Sequence, residues 1–448
     1  MEAGKTQTYA PGVPNFDMEI IPTRRNNQSG ADLYLNIPYE SFTFEKDSTG
    51  FSSPYEFQVE IRRAENKQVA VTRSWVDTLH ISNRDVIEQS DPISASRRFN
   101  LSPGEYVFRV VLQDLNNDKQ AIRSLNLEVP DFGSDEPRLT QPYLKARTSE
   151  QSFEPVVNLH IPADVDSLTT VAELYNVENA DHIEVVSHLL RFRSDHSVAK
   201  APDGITPMTG SLEYQGTEYD KIDTVQTQRY TLENPADSLQ ITFSQPSVEP
   251  GMYRITLEVQ PFGLGESSNP PTLHQQRTLS VKSPGFPEIN SLDEMIEALA
   301  YITRGDELEE IRAQPTQKER RRAFDAFWGK IAENKQEASD LIETYYGRVR
   351  EANRFFTSHK EGWKTDRGMI YVVYGAPIRV ERYVNQEIWY YGYSSRNPRD
   401  RFVFTRGQRY SRNGPLFNNF LLERRPYYRR DWDRAVSRWR DGQVPHGV

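Results

Sequence analysis

The 448-residue chain contains no cysteine. That excludes thiol nucleophiles, disulfides, thiolate zinc sites and CxxC redox chemistry. It also has no run of about 18 apolar residues, so no segment reads as a membrane-spanning helix. Lysine is absent after Lys364, where arginine alone carries positive charge. No Walker-type phosphate loop, GxGxxG before a helix, GxSxG elbow or zinc signature occurs. The 24 glycines and 28 prolines are spread along the chain, which excludes collagen-like and low-complexity classes. Aromatic residues, at 11%, argue against global disorder.

What is present divides unevenly. The net charge of −10 resolves into −15 over residues 1–285 and +5 over residues 286–448. Of the 50 aromatic residues, 26 lie in that last segment, including five of six tryptophans. The asymmetry predicts different architectures for the two parts and allows an electrostatic contact between them. It also limits the argument against nucleic acid or anionic surfaces to the front of the chain. At roughly 100–200 residues per domain, the length predicts two to four domains.

After a tail at 1–12, residues 13–132 read as short alternating strands. Leu33, Leu35 and Ile37 alternate, as do Phe57, Val59 and Ile61, and then Tyr106, Phe108 and Val110. Strands of this length between Gly, Pro, Asn and Ser turns predict a β-sandwich. Residues 137–283 repeat the plan. Leu35-Asn36-Ile37-Pro38 is echoed by Leu159-His160-Ile161-Pro162, and Pro103-Gly104-Glu105-Tyr106 by Pro250-Gly251-Met252-Tyr253. A tyrosine just after such a turn can pin the corner of a Greek-key sandwich through its hydroxyl. These corners resemble those of fibronectin type III and other cysteine-free immunoglobulin-like modules, a resemblance that implies no activity.

Metal readings are weak in this region. His182, His188 and His196 lie in a segment that looks extended, and their spacing fits neither HExxH nor a two-histidine helix face. Asp164-x-Asp166 and Asp114-x-Asn116-x-Asp118 lack the Gly and Glu positions of an EF-hand, so they read as turns. No metal or cofactor is expected.

Residues 290–448 read as an α+β domain, reached through the proline-stiffened linker 283–287. Ser291-Leu292-Asp293-Glu294 and Thr316-Gln317-Lys318-Glu319 are capping boxes that open helices. Phe324, Phe327, Trp328 and Ile331 give the second helix an apolar face. A third helix is expected over about 336–358, with Gly347 inside it as a position of close packing. Helices two and three should form a hairpin over an antiparallel sheet. Its strands are expected at 369–374, 387–393 and 401–405, with a long loop at 375–386. A last helix begins near Pro426.

At Gly362-Trp363-Lys364-Thr365-Asp366 the sequence resembles the bacterial GWxTD-domain family. Support extends to Arg320-Arg321-Arg322-Ala323-Phe324, Ala352-Asn353-Arg354-Phe355, Tyr374-Gly375-x-Pro377 and Glu387-Ile388-Trp389-Tyr390-Tyr391. The resemblance covers about residues 316–405. It implies an exported envelope protein, periplasmic or at the cell surface, and carries no reaction. Residues 1–4 are polar, without an apolar h-region, so the expectation is a start upstream or a processed sequence.

Two readings of the signature follow. In one, Gly362 adopts positive φ, Trp363 anchors the connection by burial, and Thr365 and Asp366 close a turn before a strand. In the other, Asp366 is a general base or ligand carboxylate. Trp363, Arg367, Glu381, Glu387, Trp389 and Tyr391 then complete a ligand site, since carboxylates beside aromatic platforms suit sugars and glycoside hydrolysis. Thr357-Ser358-His359 lacks an oxyanion turn and an orienting acid, so serine hydrolysis is a poor reading. The arginine-aromatic stretch 396–440, with 13 arginines, is of a kind that single-stranded nucleic acid sites use, or else a structural end pairing acidic surface. The leading expectation is a non-catalytic envelope interaction or scaffold protein. Its partner would be an envelope protein or surface polymer rather than nucleic acid, with a carbohydrate-binding or glycoside-hydrolysing enzyme as the alternative.

Overall fold

The computed structural model describes residues 14–445 except 26–27, 49, 84–86, 88–91, 135, 148–153, 158–159, 163–164, 166, 205–215, 264–271, 384–385, 392–400 and 407–418. The tail at 1–12 and the Asp164-x-Asp166 pair therefore lie outside the described residues.

The front two-thirds is β-rich. Its first unit contains β1 (Asp17–Arg25), β2 (Gln28–Ile37), β3 (Glu45–Lys46), β4 (Phe51–Arg63), β5 (Val69–Ile81), β6 (Ile93–Asn100), β7 (Gly104–Asp114) and β8 (Gln120–Val129). They form two antiparallel sheets, β1-β2-β6 and β3-β4-β7-β8, with β5 paired to β4. Alternation aims Leu33 and Leu35 from one sheet, and Phe57, Val59, Phe108 and Val110 from the other, into one shared core.

The second unit contains β9 (Arg138–Leu139), β10 (Tyr143–Arg147), β11 (Glu154–Pro155), β12 (His160–Pro162), β13 (Ser167–Tyr175), β14 (His182–Ser194), β15 (Thr217–Glu233), β16 (Ser238–Gln245), β17 (Gly251–Phe262) and β18 (Leu273–Lys282). Its sheets run β11-β10-β13-β16 and β12-β18-β17-β14-β15, antiparallel except for the β12–β18 pair. The echoed turns have matching structure. Tyr106 Oη donates to the Ser102 carbonyl at 2.8 Å, and Tyr253 Oη to that of Glu249 at 2.7 Å. In each unit an arginine from the neighbouring strand, Arg63 or Arg191, lies over that tyrosine ring.

The C-terminal region is α+β. Its helices are α1 (Leu292–Ala298), α2 (Glu307–Arg312), α3 (Gln317–Ile331), α4 (Lys335–Phe356), α5 (Asp366–Tyr374) and α6 (Tyr428–Arg440). Its sheet, in the order β19 (Arg379–Arg382), β20 (Gln386–Tyr390), β21 (Arg401–Arg406) and β22 (Phe420–Leu422), is an antiparallel meander. Thr316 and Glu319 form the full capping box that opens α3, and Ser291 accepts from the Glu294 N–H at the start of α1.

Five details depart from the sequence reading. Residues 369–374 are not a strand but most of helix α5, whose nine residues are all buried. A helix enclosed on every side needs no polar face, so its short apolar run carries no period to distinguish it from a strand. The expected loop at 375–386 holds β19, and a short helix not expected from the sequence, α2, buries only Ile311. Gly362 does not adopt positive φ. A Cβ at Gly347 would meet nothing within 4 Å, so close packing does not explain that glycine.

Candidate functional site

The signature links three parts of the molecule. Gly362–Lys364 forms a single 3-10 turn between α4 and α5. A Cβ on Gly362 would run into the Ala352 carbonyl of α4, and one on Gly368 into the Gly362 carbonyl. The two glycines let three backbone segments stack. Trp363 is fully buried, edge-on to Tyr301 with ring centroids 6.3 Å apart. Its carbonyl accepts from Tyr301 Oη at 2.7 Å, and its N–H donates to Asn353 Oδ1 at 3.2 Å. Thr365 is the N-cap of α5, its Oγ1 accepting from the Gly368 N–H at 3.1 Å. At the other end of α5, Arg348 donates to the Val372 and Val373 carbonyls at 3.3 and 3.2 Å.

Asp366 is bound rather than free. Both carboxylate oxygens accept from Arg424, at 2.6 and 3.0 Å, and Oδ2 also accepts from the Leu422 N–H at 2.7 Å. The Asp366 and Arg424 side chains are each 4% exposed. Arg424 reaches further, donating to the carbonyls of Ala201 and Lys200 in the second unit at 3.2 and 3.1 Å. A bidentate, buried pair of this kind fixes geometry and leaves the carboxylate little freedom to act as a base.

The other candidates separate from Asp366. Glu387 is buried and held by Arg367 at 3.5 Å, Arg382 at 3.3 Å and the Trp389 indole N–H at 3.2 Å. Arg367 lies between the Phe356 and Phe420 rings, at 5.3 and 4.6 Å. Trp389 packs on Phe356 and Phe404 inside the core. Tyr391 is buried and donates to the Gly375 carbonyl at 2.8 Å. Glu381 is half-buried on β19, accepting from Tyr390 and Tyr383 at 3.0 and 3.2 Å. Thus Arg367, Glu387 and Trp389 meet directly, whereas Trp363 and Tyr391 are core residues elsewhere. None of the three aromatic candidates presents an open platform.

Asp366 and Thr365 do line a cavity of about 360 Å³ at the seam between the second unit and the C-terminal region. Asp195, His196, Gly216, Glu218, His359 and Lys360 are also in its wall. Lys360 Nζ donates to Asp195 and to the Ser197 carbonyl, both at 2.7 Å. Burial alone would push the Asp195 carboxyl up. The Lys360 charge, with hydrogen bonds from Lys360 and Ser197, outweighs it and brings the pKa to about 2. Behind the cavity, Lys282 at the end of β18 is 2% exposed and donates to the Ser358 carbonyl at 3.0 Å. Burial lowers its pKa to about 7. Burial also holds His359 well below the ordinary histidine value, with the Lys360 and Lys282 charges adding to the effect. Glu361 accepts from Ser283 and pairs with Lys364, which also pairs with Glu297. The contacts of Lys282, Ser283 and Lys360 join the acidic front to the basic end, as do Arg354 with Glu40 and Arg429 with Asp203.

Sequence reading missed this seam, because Lys282, Asp195, Lys360 and Arg424 come from four separate segments. Its traces in the sequence were His196, the Ser358-His359 pair, and Thr365 and Asp366 of the signature, each considered for other chemistry. Ser358 Oγ lies 3.2 Å from His359 Nδ1, both buried. His182 instead stacks on Phe262, and His188 meets Thr227 at 2.9 Å, so the three histidines of that stretch do not converge. Asp114 accepts from the Thr43 and Asn116 N–H groups at 2.7 and 2.8 Å, the bonding of a turn. Among the described residues no group of three His, Asp or Glu side chains is placed to hold a metal ion. No described helix is long and apolar enough to cross a membrane. In the arginine-aromatic stretch, Tyr428 and Trp439 are buried, while Arg440 pairs with Glu307 and Arg425 with Glu423.

A β-rich front joined through a buried polar seam to an α+β region is the class of molecule this geometry defines. Residues 267–441 match the family model described as the GWxTD domain, so the chain carries a GWxTD domain. The match begins before β18, so the seam's Lys282 falls inside it. No curated protein matches the chain. A crystal structure of red sea bream transglutaminase is similar at 9% identity, over 59% of this chain and 31% of that one, with a TM-score of 0.18. The chain spans about a third of that structure's length, and at such a score the likeness carries no argument.

Proposed function

We propose that the protein is a non-catalytic interaction or scaffold protein of the cell envelope, exported to the periplasm or cell surface. The single observation behind this reading is that the signature's polar groups are spent inside the molecule. Thr365 caps a helix, and Asp366 is locked to Arg424. In each β-rich unit, a three-strand path (β1-β2-β6 or β10-β13-β16) faces a sheet built on β5-β4-β7-β8 or β15-β14-β17-β18. That order and the two tyrosine corners support two tandem fibronectin-like sandwiches serving as spacer and docking surface. The GWxTD domain would then bind an envelope protein or a surface polymer.

The cavity beside Asp366 favours a second reading, a carbohydrate-binding or glycoside-hydrolysing protein. Hydrolysis needs one carboxyl group as acid and another as base or nucleophile. Here Asp366 and Glu387 are each held by arginines, which supports the scaffold reading instead. Crosslinking in intact cells, followed by fractionation and partner identification, tests the proposal. Recovery from the envelope with a reproducible protein or polymer partner is expected. Turnover of a polysaccharide panel by the purified full chain, lost in Asp366→Asn with folding intact, would favour the enzyme.

A further inference from the structure

The seam gathers an unusual share of the chain's titratable cations. Three of the eight histidines meet there: His160 on β12, His196 after β14, and His359 between α4 and α5. Lys282 from β18 lies close enough to influence all three. With the histidines neutral, Lys360 and Lys364 face Asp195, Glu361 and Glu297, and Lys282 adds a further cation as the pH falls past about 7. Around the adjoining cavity, Arg424 is matched by Asp366 and Arg193 by Glu218, with Lys200 beside them. Protonating the histidines adds positive charge to this contact: His196 is exposed beside Asp195 and Glu361, His160 is hydrogen-bonded to the Thr357 backbone, and His359 is buried. His359 is the most exacting of them. Its Nε2 is buried without a hydrogen-bond partner among the described residues, and its ring fills the space a side chain at Gly216 would occupy. A proton gained there has no acceptor, and a buried charge without one is strongly disfavoured.

We propose that the seam is an acid-labile joint. Protonation of its histidines as the pH falls below neutrality loosens the contact between the second β-rich unit and the GWxTD domain, while each keeps its own fold. The bonds lost would include Lys282 to the Ser358 carbonyl, Lys360 to Asp195 and the Ser197 carbonyl, Ser283 to Glu361, and Arg424 to the Ala201 and Lys200 carbonyls. The hydrophobic cores on either side are distinct apolar clusters, with Val198 and Ala199 of the second unit packed against the C-terminal one.

Hydrogen exchange of the full chain between pH 7.5 and 5.0, corrected for intrinsic exchange rates, tests this. Peptides covering 278–283 and 355–366 should lose protection at least tenfold by pH 5.5, while β4 and β7 stay protected. His359→Phe keeps a ring without the proton and should move the transition to lower pH. Should that variant fail to fold, Lys282→Met removes a neighbouring cation and should shift the transition in the same direction. Unchanged seam protection down to pH 5.0 would overturn the proposal. So would simultaneous loss of protection everywhere, or folded variants that titrate like the parent.

Discussion

Gly362 and Gly368 show how a signature residue can be specified by space alone. Each sits where a β-carbon would collide with backbone carbonyl, and backbone cannot swing aside as a flexible side chain can. Gly362→Ala and Gly368→Ala should each destabilise the chain by about 2 kcal/mol or more, the scale of overpacking a close-packed core. Gly347 is the control. It lies inside α4 with open space around it, so Gly347→Ala should stabilise by about 0.5–1 kcal/mol. Urea unfolding of the three variants checks the contrast. Trp363's burial was legible from its size, and Thr365's backbone bond from its chemistry. The reason for Gly362 was not legible, because a close approach between segments ten residues apart leaves the same letter as a positive φ.

At the scale of elements, local signals were readable where the interaction itself is local. The N-cap at Ser291 and the capping box at Thr316 span three residues, and the tyrosine corners four, so their chemistry is written in adjacent sequence. Tyr106→Phe and Tyr253→Phe should each cost about 1 kcal/mol, one net hydrogen bond, and chemical denaturation would register the loss. Helix α5 was misread because its character is set by surroundings. Core encloses it on all sides, Thr365 caps one end and Arg348 the other. Of these only Thr365 is adjacent in sequence, whereas Arg348 lies on a different helix. The same holds for the seam, whose cations and carboxylates are brought together only by the tertiary fold.

For the whole molecule, the GWxTD segment acts as a joint between the C-terminal core and the second β-rich unit. Its pH dependence follows from linkage. Lys282 and His359 have pKa values lowered in the folded state, so the unfolded chain binds more protons between the ordinary and folded values. Stability should therefore fall as the pH drops from 10.5 towards 7 through Lys282, and again below 6.5 through His359. Asp195 adds a loss of the same sign as the pH falls from 3.8 towards 2, where its favourable pairing ends. Denaturant midpoints measured across that range should decline towards acid rather than peak near pH 5.

The central claim is that Asp366 holds the molecule together through Arg424. A double-mutant cycle on the full chain tests it most directly, using Asp366→Ala, Arg424→Met and the pair. Each single change should cost about 3–5 kcal/mol, because it strands a buried charge. The double variant should cost less than their sum, with a coupling of about 2–3 kcal/mol. An Asp366→Ala protein that unfolds at the parent's denaturant concentration, yet has lost a ligand or an activity, would contradict the account.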